Sequence, residues 1–195
     1  IERMTYRSNG GSQECMRKPE RLMPKEFLHA LYDGGAGTGI WDYWEMMRKH
    51  HRCAGGFIWM FADEGVKRVD QNGRIDNVGN YGADGILGPH HEKEGSFYTV
   101  KQVWSPVQIM NTELPDNFDG SFMVENRYDF TNLKDCRFVW TLKTIKDDKA
   151  STVKSGEIKG FDLAPHATGT LKVNLPANWK EANVLYLTAY DPQDK

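Results

Sequence analysis

Glu26, His29, Trp59 and Asp84 are the side chains of this sequence whose types and settings suit chemistry on a hydroxyl-rich ligand. Glu26 ends a short apolar segment and is followed by Phe27, Leu28 and His29. A carboxylate so placed can attack a carbon centre or transfer a proton. With a histidine three residues on, it also suits a metal pair if both lie on a helix, and an ion-paired surface glutamate is the plain alternative. Trp59 closes an apolar run opened by Gly55 and Gly56. An indole there can lie against the C–H face of a pyranose while its N–H keeps a polar handle, or it can fill a core. Asp84, before Gly85, suits a hydroxyl acceptor, a hard-cation ligand or a turn residue. His90, His91 and Glu92 read as a solvated charged loop before a metal site. Asp63 and Glu64 suit either a cleft rim or open water.

These residues need elements to hold them. Arg21–Glu26 reads as a short strand and Asp33–Gly39 as a glycine-rich loop. From Ile40 to His51 the apolar residues Ile40, Trp44 and Met47 fall at spacings of four and three, one face of a helix. Thr38 is the expected N-cap, and the basic run from Arg48 to Arg52 before Gly55 and Gly56 is the expected C-terminal signal. Phe57, Ile58 and Trp59 read as a buried parallel strand, Met60–Gly95 as a long loop, and Ser96–Trp104 as a helix with Phe97, Val100 and Trp104 on one side. Strand, helix, strand, helix with a long loop after each strand is the rhythm of a (β/α)8 barrel.

The pattern changes at Ser105 and Pro106. The runs SFMVENRYDF, RFVWTLKTI, GTLKVNL and VLYLTAY are rich in β-branched and aromatic residues, and Phe138, Trp140 and Leu142 alternate with Val139, Thr141 and Lys143. Such runs separated by short turns predict a β-sandwich. The expected fold is therefore α/β over 1–105 followed by an all-β domain over 106–195.

The composition excludes several classes of function. With 25 Lys and Arg against 27 Asp and Glu, the net charge of −2 gives no long-range pull on nucleic acid or an anionic membrane. No apolar run approaches the roughly 18 residues of a membrane span, and the first residues lack the apolar core of a signal peptide. A start at Ile1 suggests a chain cut from something longer. Cys15, Cys53 and Cys136 form no CxxC pair and read as free thiols, which leaves a periplasmic, secreted or cytoplasmic location open. No dinucleotide fingerprint, P-loop lysine or Gly-x-Ser-x-Gly elbow is present.

Taken in order, MPKEFLHALYDGG, CAGGFIWMFADEG and NYGADGILGPHHEKEGSFYTVKQVWSPV resemble glycoside hydrolase family 2, the β-galactosidase type. The resemblance covers about residues 20 to 195. It implies the C-terminal segment of a TIM barrel followed by an immunoglobulin-like β-sandwich. It also implies that Glu26, first in the motif E-(Y/F)-x-H-A, is the nucleophile of a retaining hydrolase acting on a β-linked galactoside or related oligosaccharide. By the same resemblance His29 helps hold the sugar hydroxyls, Trp59 contacts the substrate, and Asp84 contacts the sugar or a bound cation. A Mg or Na ion is implied by the family only, since the chemistry needs no cofactor, and a homo-oligomer is allowed. Met60 and Phe61 replace the Asp-Trp that follows the tryptophan in many β-galactosidases, so the wall beside the sugar differs. β-Glucuronidases share a related tryptophan run, but the sandwich after Val103–Val107 favours the galactosidase branch. A noncatalytic carbohydrate-binding or structural module is the alternative from another class.

Retaining hydrolysis uses two carboxyl groups about 5 Å apart. The family's acid/base is a glutamate after an asparagine, and this chain contains no Asn-Glu dipeptide. The purified chain is expected to show no turnover of a chromogenic β-galactoside; turnover that depends on Glu26 would contradict an acid/base outside it.

Overall fold

Helix α1, Gly35–Lys49, forms because one of its faces can be buried: Ile40 is fully enclosed, Met47 nearly so, and Trp44 packs beside them. Its last turn carries Arg48 and Lys49, which suit the negative end of the helix dipole and also pair with Glu45 at 2.7 and 3.0 Å. The helix begins earlier than the glycine content predicts, taking in Gly35, Gly37 and Gly39, so Thr38 lies within its first turns and not at the N-cap. Tertiary burial of the Ile40 face outweighs the roughly 1 kcal/mol that each glycine costs a helix.

The computed structural model describes residues 21–26, 35–76, 82–111 and 113–194. They fall into two compact units, Ile1–Trp104 and Ser105–Lys195. In the first, the chain leaves α1 through turns at His50 and Cys53 and meets the segment around Leu22 in a parallel bridge, Leu22 opposite Cys53. A second parallel bridge joins Ala62 to Leu87. The expected strands at Arg21–Glu26 and Phe57–Trp59 are thus isolated bridges, and Phe57 is exposed, not buried. The stretch expected as loop contains an antiparallel hairpin, β1 (Val66–Arg68) and β2 (Arg74–Asp76), with Arg68 tied to Asp70 and Asp76. Helix α2, Gly95–Val103, returns Val100 and Val103 to the cluster built on Ile40, Ile86 and Leu87. Among the described residues no helix is long and apolar enough to cross a membrane. Cys53 and Cys136 are free thiols; Cys15 lies outside the described residues.

The second unit is a β-sandwich of two three-stranded antiparallel sheets. One has the order β3 (Val107–Ile109), β4 (Ser121–Asn126), β7 (Thr168–Lys172); the other has β6 (Lys149–Lys159), β5 (Arg137–Lys146), β8 (Val184–Tyr190). Alternation dictates the faces: Phe122 and Val124 of β4 and Phe138, Trp140 and Leu142 of β5 point into a core shared with Leu133, Leu171 and Val173. Each fully buried side chain of this size contributes about 1.5–3 kcal/mol. The β5–β6 turn places Asp147 and Asp148 at φ 49° and 58°, the left-handed pair that a two-residue hairpin loop requires.

One polar side chain sits wholly inside this core. Asn126 donates from Nδ2 to the carbonyls of Thr131 and Leu163 at 3.0 and 2.9 Å, and its Oδ1 accepts from the Tyr128 N–H at 3.0 Å. It thereby staples β4 to two connections that make no ladder of their own. Asn126→Ala should cost about 3 kcal/mol in urea unfolding, because it orphans two buried carbonyls and an amide. A loss below about 1 kcal/mol would mean that the connections do not depend on it.

Candidate functional site

The candidate site is set by one segment with parallel neighbours on both sides. On the first side, Leu22 N–H donates to Arg52, Ala54 N–H donates to Leu22, and Phe57 N–H donates to the Pro24 carbonyl, at 2.9–3.0 Å. The last bond sets Pro24 opposite Gly56. Two residues on, the same register brings Glu26 beside Ile58, and each of these lies in an isolated bridge. On the second side, Met60 N–H donates to Asp84 and Ile86 N–H to Met60, both at 3.0 Å, which sets Met60 opposite Gly85 and Trp59 level with Asp84. Leu87 and Asp63 continue the pattern through bonds of 3.0 Å to Phe61 and 2.8 Å to Leu87. Adjacent strands lie about 4.8 Å apart. Glu26 at the C-terminal end of its segment, Trp59 midway along the central one and Asp84 at the start of the third are therefore brought within one residue of the same level, although they are far apart in the chain. His29 lies outside the described residues.

The environments of the three differ. Asp84 is 3% exposed, whereas Glu26 and Trp59 are half-buried. The peptide bond between Trp59 and Met60 is cis. Phe61, which follows, is exposed and meets His91 edge-on at 6.3 Å between ring centres.

Asp63 has a role that the sequence does not announce. Its Oδ1 accepts the Gly85 N–H at 2.9 Å, so the side chain clamps the residue next to Asp84. Gly85 is itself required: a Cβ there would run into the backbone of Ala62 and Asp63 and lie 2.6 Å from the Leu87 carbonyl. Asp-Gly at 84 and 85 is the visible signal, but it reads as a turn until the neighbouring segment is known.

A group of carboxylates gathers around this clamp. Burial, together with the charges of Asp63 and Glu92, pushes the Glu94 carboxyl up. Glu92 is held below its ordinary value by backbone hydrogen bonds, and its Oε2 accepts the His90 N–H at 2.8 Å. That bond, with His91 in the left-handed region at φ 62°, makes residues 88–92 a self-contained turn. Among the described residues no group of three His, Cys, Asp or Glu side chains is placed to hold a metal ion.

Residues 122–193 match the family model described as β-galactosidase, domain 4. The chain is similar to a β-galactosidase of Priestia megaterium, 25% identical over 162 residues, which is 77% of this chain and 15% of that protein. It is similar to a β-galactosidase of Actinobacillus pleuropneumoniae, 27% identical over 171 residues, 84% of this chain and 16% of that protein. A shorter match, 42% identical over 60 residues, is to a β-galactosidase of Psychromonas ingrahamii and covers 30% of this chain and 5% of that protein. The chain thus spans only 15% and 16% of the first two relatives.

Because the Gly85 contact is with backbone, no rotamer change relieves it. Gly85→Ala should part the two segments and destabilise the first unit by about 2 kcal/mol, read as faster amide exchange at Ile86 and Leu87. Unchanged exchange at both amides would show that the close approach is dispensable.

Proposed function

The chain is related to the β-galactosidases of glycoside hydrolase family 2, and on that premise we propose that it is the nucleophile-bearing part of a retaining hydrolase cleaving terminal β-galactosides. We read its first unit as the closing segment of a (β/α)8 barrel and its second as an immunoglobulin-like domain. The observation that carries this reading is the register that sets Glu26 at the C-terminal end of its parallel segment, the end where barrel enzymes keep their catalytic groups, with Trp59 and Asp84 within one residue of its level on the neighbouring segments.

In the proposed reaction a Glu26 carboxylate oxygen attacks the anomeric carbon and the bond to the leaving oxygen breaks. A second carboxyl group, from a part of the protein outside this chain, protonates that oxygen. The resulting glycosyl ester is then opened by water, which the second group deprotonates, and Glu26 leaves as carboxylate. Trp59 supplies a flat apolar wall for the C–H face of the sugar. Asp84 accepts a sugar hydroxyl, which fixes the orientation of the ring. His29 assists with the hydroxyls. The substrate class follows from the names of the relatives, and Met60 and Phe61 give the outer wall an apolar character of its own.

In the full-length protein, Glu26→Gln should preserve the shape of the site but abolish formation of the ester, lowering kcat on the order of a thousandfold or more. Steady-state kinetics on a nitrophenyl β-galactoside measures it, with circular dichroism to verify folding. A folded variant retaining more than about a tenth of wild-type kcat would refute the assignment.

A further inference from the structure

The sandwich contains a cavity of about 300 Å³ between the 118–120 and 173–179 segments, unrelated to the Glu26 end of the first unit. Gly120 creates it. At φ 85° this residue's carbonyl accepts the Val173 N–H at 2.7 Å, and a Cβ would collide with the Val173 carbonyl, so the two segments meet at the floor with no side chain between them. The wall is aromatic: Phe118 stands edge-on to buried Phe122 at 4.9 Å and to Trp179 at 6.1 Å. Trp179 is kept in place by a tight turn, its N–H donating to Pro176 and its carbonyl accepting from Ala182.

The polar lining is Asp119 and Asn174. Asp119 Oδ1 accepts the Ser121 N–H at 2.9 Å, and Oδ2 accepts from Lys172 Nζ at 2.7 Å and Ser121 Oγ at 3.0 Å. These bonds hold its carboxyl at about 2, so it is ionised at any ordinary pH. A carboxylate has about four acceptor sites, which leaves one for a ligand hydroxyl. The ammonium beside it cancels its charge, so neither an anion nor a cation gains by entering. Asn174 offers both donor and acceptor. An indole wall, paired charges and an amide suit an uncharged ring bearing hydroxyl groups, and the volume suits one such ring.

We propose that this cavity is a second, noncatalytic saccharide site that takes one neutral hexose unit beside Trp179. It goes beyond the hydrolase reading and does not require Glu26 to be a nucleophile. In the parent protein it would hold one neutral sugar unit independently of the reaction at Glu26.

The test is a titration of the 195-residue chain with methyl β-galactoside and lactose, followed by the indole N–H resonance of Trp179. Saturable shifts at ligand concentrations on the order of millimolar are expected. Trp179→Ala is a poor probe because the ring also packs on the core. Ala177→Phe is better: Ala177 is exposed at the rim, and the added ring fills the cavity from outside. Binding should weaken about tenfold or more with an unchanged melting temperature. Trp59→Ala should leave the Trp179 shifts intact. No saturable shift at Trp179, full affinity in Ala177→Phe, or loss of the shifts with Trp59→Ala would each overturn the proposal, whatever the fate of Glu26.

Discussion

The close approach of Gly85 to the backbone of Ala62 and Asp63 is the constraint on which the first unit depends. A parallel pair requires backbone groups to alternate partners without interruption, and any side chain at 85 would push the two segments apart. Because the contact holds, Met60, Phe61 and Asp63 all find their partners, and Ile58 and Ala62 can rest on the cluster of Ile40, Ile86, Leu87, Val100 and Val103. The bond from Gly85 to the Asp63 carboxylate fastens the same point from the side. Asp84 is then buried level with Trp59 as a consequence of register.

Much of this was legible where a local pattern coincides with burial. Ile40, Trp44 and Met47 declare a helical face, and Phe138, Trp140 and Leu142 declare the inward face of β5; both patterns are enforced by a single core on one side. The start of α1 was not legible, since glycines at 35, 37 and 39 argue against helix by propensity while the burial of Ile40 argues for it. The hairpin of β1 and β2 was missed for a different reason: its residues are nearly all exposed, so no alternation of apolar and polar positions marks it. Phe57 misled because an apolar residue before Ile58 suggests a strand buried on both faces, whereas it is exposed.

The site itself divides along the same line. Glu26, Trp59 and Asp84 stand out by type and by neighbouring glycines, but Asp63 and Gly85 acquire their roles only from a segment some twenty residues away in the chain. The cavity beside Trp179 is wholly nonlocal, as its two walls are separated by more than fifty residues and meet where the β4–β7 ladder ends and Gly120 pairs with Val173. The sandwich is organised around such long-range polar ties. Asn132, for instance, accepts from Lys134 and Leu163 and donates to Asp162, reinforcing what Asn126 does from inside.

The central claim is covalent chemistry at Glu26. An activated 2-fluoro-2-deoxy-β-galactoside forms the glycosyl ester but slows its hydrolysis, so incubation with the full-length protein followed by peptide mass mapping reads the nucleophile directly. The account predicts a single fluorogalactosyl adduct on the peptide containing Glu26, with loss of activity in step with labelling. An adduct on any other carboxylate, or time-dependent inactivation that leaves Glu26 unmodified, would contradict it.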